Sequence, residues 1–209
     1  TNKNNHALPN MLSTAGLLSD RPARSEDERT RALAPTILNT IDRAARLASH
    51  AIEYVRDQRT PKLASIDLAD LVDEVGVALQ EQGEESDPNI VRDWINEVAH
   101  DQPARADRDL LYRVFVNLGR NAFEAGATAV TVRAGAKGDN LAVDVSDNGP
   151  GVSQELAEGI FRPFVTGGRA GGAGLGLAIA RDLVRVHGGD IAIAETGKQG
   201  TTFRFTLPL

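Results

Sequence analysis

Asn117 and Asn121 stand four residues apart in Asn117-Leu-Gly-Arg-Asn121-Ala, so both amides project from one face if the segment is helical. Magnesium prefers oxygen ligands in octahedral geometry, keeps several waters and takes phosphate oxygens as partners. A side-chain amide oxygen would suit it, and Arg120 lies near enough in sequence to assist a phosphate. The bland alternative is a solvated helix face. Asp147 follows a segment apolar at alternate positions and opens Asp147-Asn-Gly-Pro-Gly151. A carboxylate there can accept from an exocyclic amine such as adenine N6, and Gly149 and Gly151 let the backbone pass close to a flat base. The same five residues would equally satisfy an Asx turn.

A second glycine turn, Gly171-Gly172-Ala173-Gly174-Leu175-Gly176, opens a helical pattern. Backbone N–H groups at a helix start make an anion cradle, and Gly172, Gly174, Leu175 and Gly176 are its candidate phosphate contacts. A dinucleotide-binding reading fails because no strand leads directly in and no acid ends a following strand at the right distance. A Walker loop fails because no Lys-Ser or Lys-Thr follows the glycines. Between the two glycine turns, Phe161-Arg-Pro-Phe164 precedes Val165, Thr166 and a run of glycines. Apolar anchors before a polar stretch read as a lid over phosphates, with Thr166 as a candidate nucleotide contact; a plain surface loop is the alternative. Each cluster alone is a weak signal, and in this order they describe a nucleotide site.

The elements that must position these residues follow from periodicity. Leu8, Met11, Leu12, Ala15 and Leu18 share one helical face. Arg21-Pro22-Ala23-Arg24 interrupts it, and Ser25 with Glu28 forms a capping-box signature for a second helix. Leu33, Ile37, Ile41, Ala44, Ala48, Ala51 and Val55 make a narrow seam along that helix, with a kink expected at Pro35. Narrow seams cannot be buried by a lone hairpin, so a homodimer forming a four-helix bundle is expected; a hairpin folded back on its own globular domain is the alternative. Thr60-Pro61-Lys62 reads as a linker and Thr60–Ala64 as a hinge. Beyond it, helices are expected over Asp67–Gln80, Asp109–Ala125 and Gly174–His187, the last ended by Gly188-Gly189. Strands are expected over residues 90–98, Thr128–Ala134, Leu141–Val145, Ile191–Ala194 and Thr202–Leu207, with a hairpin at Gly138-Asp139-Asn140. The class is α+β: a helical hairpin over residues 1–60, then an α/β sandwich over residues 61–209 with helices on one face of a mixed sheet.

Composition narrows the function. The chain has 209 residues, 41% hydrophobic, with a formal net charge of −6 and no cysteine. The acidic balance argues against a nucleic-acid-binding surface, and the missing thiols exclude disulfides, thiolate zinc sites and cysteine nucleophiles. No apolar run of about 18 residues and no signal-peptide pattern is visible in the sequence. The expected setting is cytoplasmic, without membrane contact; the membrane part of any larger receptor would lie outside this sequence.

The clusters together resemble the cytoplasmic core of a bacterial sensor histidine kinase. Asn117-Leu-Gly-Arg-Asn-Ala122 looks like the family's N box, and Asp147-Asn-Gly-Pro-Gly151 and Gly172-Ala-Gly-Leu-Gly-Leu-Ala-Ile-Ala180 look like its glycine boxes. Phe161-Arg-Pro-Phe164 looks like its F box, and Gly200-Thr201-Thr-Phe203 with Leu207-Pro208 like its closing strand. The resemblance implies the Bergerat ATP-binding fold, ATP and Mg2+ as ligands, Asn121 on the metal, Asp147 on adenine and Thr201 supporting the base. Where hydrolysing relatives carry a glutamate base this chain has Asn117, which cannot deprotonate water. The resemblance further implies phosphorylation of a histidine and transfer to a response regulator. Of His6, His50, His100 and His187, His6 occupies the expected place, with Asn10 one turn on as the residue that would position water for dephosphorylation. His187, at a helix end, fits a capping role. Ala7 stands where the family has an acid and Pro9 where it has arginine, which implies weak autophosphorylation with phosphatase geometry partly retained. A scaffold or phosphotransfer protein with a vestigial ATP domain is the alternative, and a serine kinase of the anti-sigma type is disfavoured by the paired hairpin.

Overall fold

The computed structural model describes residues 60–86, 92–100, 102–166 and 174–209, all within one compact unit, Arg56–Leu209. The expectations for the hairpin helices, the kink at Pro35, the dimer bundle, His6, Asn10, His50 and Gly172 lie outside the described residues.

Five strands form a mixed sheet. β4 (Ala129–Lys137) and β5 (Asn140–Asp147) make the expected hairpin, turning at Gly138, whose φ is +63°. β7 (Gly200–Pro208) pairs antiparallel with β5 on one side and with β6 (Ile191–Gly197) on the other. β2 (Asp93–Asn96) adds parallel to β4 at the opposite edge. Of the strand expected over residues 90–98, Asp93–Asn96 pair with β4, and the Glu97 N–H adds a bond to Val132 O at 2.9 Å.

Alternation explains the layers. Val130, Val132, Leu141, Val143, Val145, Phe203, Phe205 and Leu207 are all buried, while the residues between them point to the opposite, partly exposed face. Helices α1 (Leu68–Ser86), α2 (Arg108–Glu124) and, later in the chain, the helix over Gly176–Val186 cover the buried face. Phe115 of α2 meets Phe205 edge to face, with ring centroids 5.6 Å apart. The one-turn helix α3 (Gln154–Ala157) precedes that last helix, α4. α1 runs beyond the expected Gln80.

The stretch expected to hinge is partly tied down. Ala64–Asp67 forms β1, paired antiparallel with β3 (Pro103–Ala106) in a separate two-stranded sheet. The Lys62 N–H donates to Asp107 Oδ2 at 2.8 Å. Both strands escaped notice because four residues with small apolar members carry no usable alternation, and their partners are far apart in sequence.

Candidate functional site

Two of the sequence clusters meet where α2 passes the start of α4. Asn117 and Asn121 lie half-buried on one face of α2. A Cβ at Gly176 would sit 3.5 Å from Asn117 Oδ1, so the glycine-opened start of α4 comes within reach of the α2 amides. Among the described residues neither Asn side chain has a hydrogen-bond partner. Their side-chain oxygens fit a magnesium ion with its waters and phosphate oxygens. Arg120 points elsewhere: its Nη2 donates to Gln82 Oε1 on α1 at 2.8 Å. Gly119, between them, is a packing residue. A Cβ there would lie 2.5 Å from Leu79 Cδ1 and 2.7 Å from Trp94 Cζ3.

Asp147 ends β5, opposite Thr201 of β7. Its Oδ1 accepts from the Gly149 N–H at 2.8 Å and the Thr201 N–H at 3.3 Å. The Asx-turn reading is thus satisfied by one oxygen, and among the described residues Oδ2 has no partner. Burial raises the Asp147 pKa above the ordinary carboxylate value, against the opposing pull of the two backbone donors. A half-buried carboxylate with one open acceptor suits an incoming N–H donor. Asn148 anchors the same turn: its Oδ1 accepts from the Thr128 and Ala129 N–H groups, both at 2.9 Å. Gly200 makes the close approach possible. Its φ is +127°, and a Cβ there would lie 1.7 Å from the Asp147 carbonyl oxygen. Thr201 is buried, with its Oγ1 3.2 Å from Thr196 Oγ1. Thr196 in turn accepts from the Val152 N–H at 2.8 Å, one residue past Gly151. Sequence reasoning missed Thr196 and Asn148; the Thr196–Thr201 pairing arises only from the β6–β7 register.

Phe164 and Gly174 approach each other at either side of the stretch expected to form a lid. The Phe164 N–H donates to the Gly174 carbonyl at 2.8 Å, and a Cβ on Gly174 would come 2.9 Å from Thr166 Cγ2. Phe161 anchors this region against Phe203, centroids 6.0 Å apart, beneath the Arg181 guanidinium. Phe164 is 67% exposed and takes a φ of +66°, a strained conformation for a bulky residue.

Two other histidines are accounted for. His187 is buried at the end of α4; its Nδ1–H donates to Leu183 O at 2.7 Å, because Nε2 accepts from the Asp107 N–H at 3.0 Å. That is a capping role. His100 is exposed, its Nδ1 3.5 Å from Asp67 Oδ2 and 3.8 Å from Asp70 Oδ1. Asp67 caps α1 by accepting from the Ala69 and Asp70 N–H groups, and these backbone donors, Asp70's first, hold its carboxyl below the ordinary value.

A mixed sheet covered on one face by helices, with two half-buried amides beside a glycine-opened helix and a carboxylate at a strand end, defines a Bergerat-type ATPase domain. Residues 106–209 match the family described as histidine kinase-, DNA gyrase B- and HSP90-like ATPase. The catalytic domain of histidine kinase ThkA is 30% identical, with a TM-score of 0.61 over 70% of this chain and 95% of that one. Signal transduction histidine-protein kinase AtoS of Escherichia coli (strain K12) is 31% identical over 83% of this chain and 28% of its own length. ThkA in complex with response regulator protein TrrA is 28% identical, with a TM-score of 0.67 over 97% of this chain and 59% of that one. The chain belongs to the histidine kinase family. It spans less than half the length of the curated relatives it matches, covering 28% of AtoS and 44% of sensor histidine kinase ZraS of the same strain. These relatives do not favour the vestigial-scaffold alternative. Among the described residues no helix is long and apolar enough to cross a membrane.

Proposed function

We propose that the chain is the kinase core of a two-component sensor: it binds ATP with Mg2+, phosphorylates itself on His6 and passes the phosphoryl group to an aspartate of a response regulator. The observation that carries this reading is Asp147, whose Oδ1 accepts from the Gly149 and Thr201 N–H groups while Oδ2, in a half-buried setting, has no partner among the described residues. That oxygen accepts from the adenine N6 amine. Thr201, buried beside it, supports the same base edge. The Asn121 oxygen holds the metal, Asn117 lies beside the phosphates, and the backbone N–H groups from Gly174 to Gly176 face phosphate oxygens. Bound magnesium would neutralise charge on the transferring phosphate.

Residues 1–60 form a helical hairpin that dimerises as a four-helix bundle and presents His6. A ring nitrogen attacks the γ-phosphorus, a P–N bond forms, the bond to the bridging oxygen breaks and ADP leaves with the electron pair. Asn117 offers no base to water, so ATP persists until the imidazole arrives. Ala7 cannot orient the His6 ring, so the rate is low, while Asn10 retains the polar group suited to dephosphorylating the regulator. ThkA's structure with TrrA supports a receiver domain as the partner.

Two measurements test this reading. Calorimetry should show ATP binding that is strengthened by magnesium and lost in Asp147→Asn, whose amide presents a donor to the N6 amine. Incubation with Mg-ATP should leave acid-labile phosphate on the protein, absent in His6→Ala and increased in Ala7→Glu. Acid-labile phosphate that survives in His6→Ala removes His6 from its role.

A further inference from the structure

Thr196 links the turn that follows Asp147 to Thr201. It occupies the exposed end of β6, cross-strand from Thr201. Its Oγ1 accepts from the Val152 N–H at 2.8 Å, which ties it to the turn that follows Asp147. The same oxygen lies 3.2 Å from Thr201 Oγ1. Each hydroxyl has one hydrogen and two acceptor lone pairs, so between the two threonines one donates and the other accepts. If Thr201 donated to Thr196, it would offer the pocket only an acceptor, next to the acceptor already presented by Asp147 Oδ2. If Thr196 donates to Thr201, the Thr201 hydrogen turns into the pocket.

The chemistry of the base edge decides between them. Adenine presents a donor at N6 and, adjacent to it, an acceptor at N1. Guanine presents the reverse, an acceptor at O6 and a donor at N1. A carboxylate oxygen beside a hydroxyl donor matches adenine; two acceptors match neither base. We propose that Thr196 is a positioning residue for base recognition: by donating its hydroxyl hydrogen to Thr201 it turns the Thr201 hydrogen directly toward adenine N1, and so sharpens the preference for adenine over guanine nucleotides. The inference rests on the reading of Asp147 as the adenine-reading group.

The test compares wild type, Thr196→Val and Thr196→Ser for binding of ATP, GTP and 1-deaza-ATP, an analogue with a carbon in place of N1. Wild type should bind ATP more tightly than 1-deaza-ATP. Thr196→Val should weaken ATP binding about five- to tenfold, the scale of one neutral hydrogen bond, and leave 1-deaza-ATP nearly unchanged. Thr196→Ser should restore the wild-type pattern. Loss of the Val152 contact alone would weaken both nucleotides equally, and that equal loss overturns the proposal, as does unchanged ATP binding in Thr196→Val. Should the valine variant not fold, Thr196→Ala reads the same difference. If wild type binds ATP and GTP alike, or Asp147→Asn keeps its ATP affinity, the failure belongs to the Asp147 reading.

Discussion

Asp147 divides two tasks between two oxygens. Oδ1 closes the turn to Gly149 and fastens β7 through Thr201, while Oδ2 has no partner among the described residues. Its surroundings disfavour the charged form, so its pKa in the folded chain lies above the ordinary value of 3.8. Stability linked to this group is fully present below that value and is lost as pH rises through the folded pKa. At neutral pH the carboxylate is thus ionised at a cost to folding. Asp147→Asn retains an Oδ1 acceptor for both backbone donors and removes the charge. The unliganded variant should melt at or above the wild-type temperature at pH 7, and its advantage should shrink in acid. A lower midpoint at pH 7 would show that the carboxylate stabilises the fold. The carboxylate and the adjacent glycines were legible in sequence because residue type dictates the chemistry available. Which oxygen remains open was not legible, since that depends on the Thr201 N–H arriving from a strand far along the chain.

Among the elements, α1, α2 and α4 were readable because their apolar residues recur with helical spacing, and the β4–β5 hairpin because alternation flanks a glycine turn. α2 shows what periodicity leaves out. Gly119 sits in a helix interior, where glycine costs roughly 1 kcal/mol relative to alanine, yet Leu79 and the Trp94 ring occupy the space a Cβ would need. Trp94 is itself fixed by its Nε1–H donating to Val72 O at 2.9 Å. Gly119→Ala should therefore destabilise the domain by about 1–3 kcal/mol despite its better helix propensity, measured by urea unfolding. Gly135→Ala, where a Cβ would meet no atom within 4 Å, serves as the comparison and should be near neutral. A Gly119→Ala variant as stable as wild type would mean that the α1–β2–α2 contact yields easily. Asp190 makes a different kind of link: Arg181 and Arg185 both donate to it and, with the Ile191 N–H, hold its carboxyl far below the usual range, Arg181 contributing most. The carboxylate is half exposed, so screening keeps its contribution small.

Across the whole domain, one buried imidazole connects elements remote in sequence. His187 ends α4, receives the Asp107 N–H at the start of α2, and Asp107 in turn accepts from Lys62 where the described chain enters. His187→Ala would leave the Asp107 N–H without its acceptor and Leu183 O without its donor. The expected cost is about 1–3 kcal/mol, with an unchanged denaturant slope if the native state keeps its compactness. A variant as stable as wild type would mean that water replaces both bonds.

By itself the sequence determined the class of chemistry, the amphipathic helices and the glycine turns, because each depends on residue type and short-range spacing. Only the tertiary structure decided that Arg120 turns to Gln82, that Ala64–Asp67 pairs with Pro103–Ala106, and that Thr196 touches Thr201. Those outcomes depend on which groups meet after distant segments pack, and neither spacing nor propensity encodes such contacts locally.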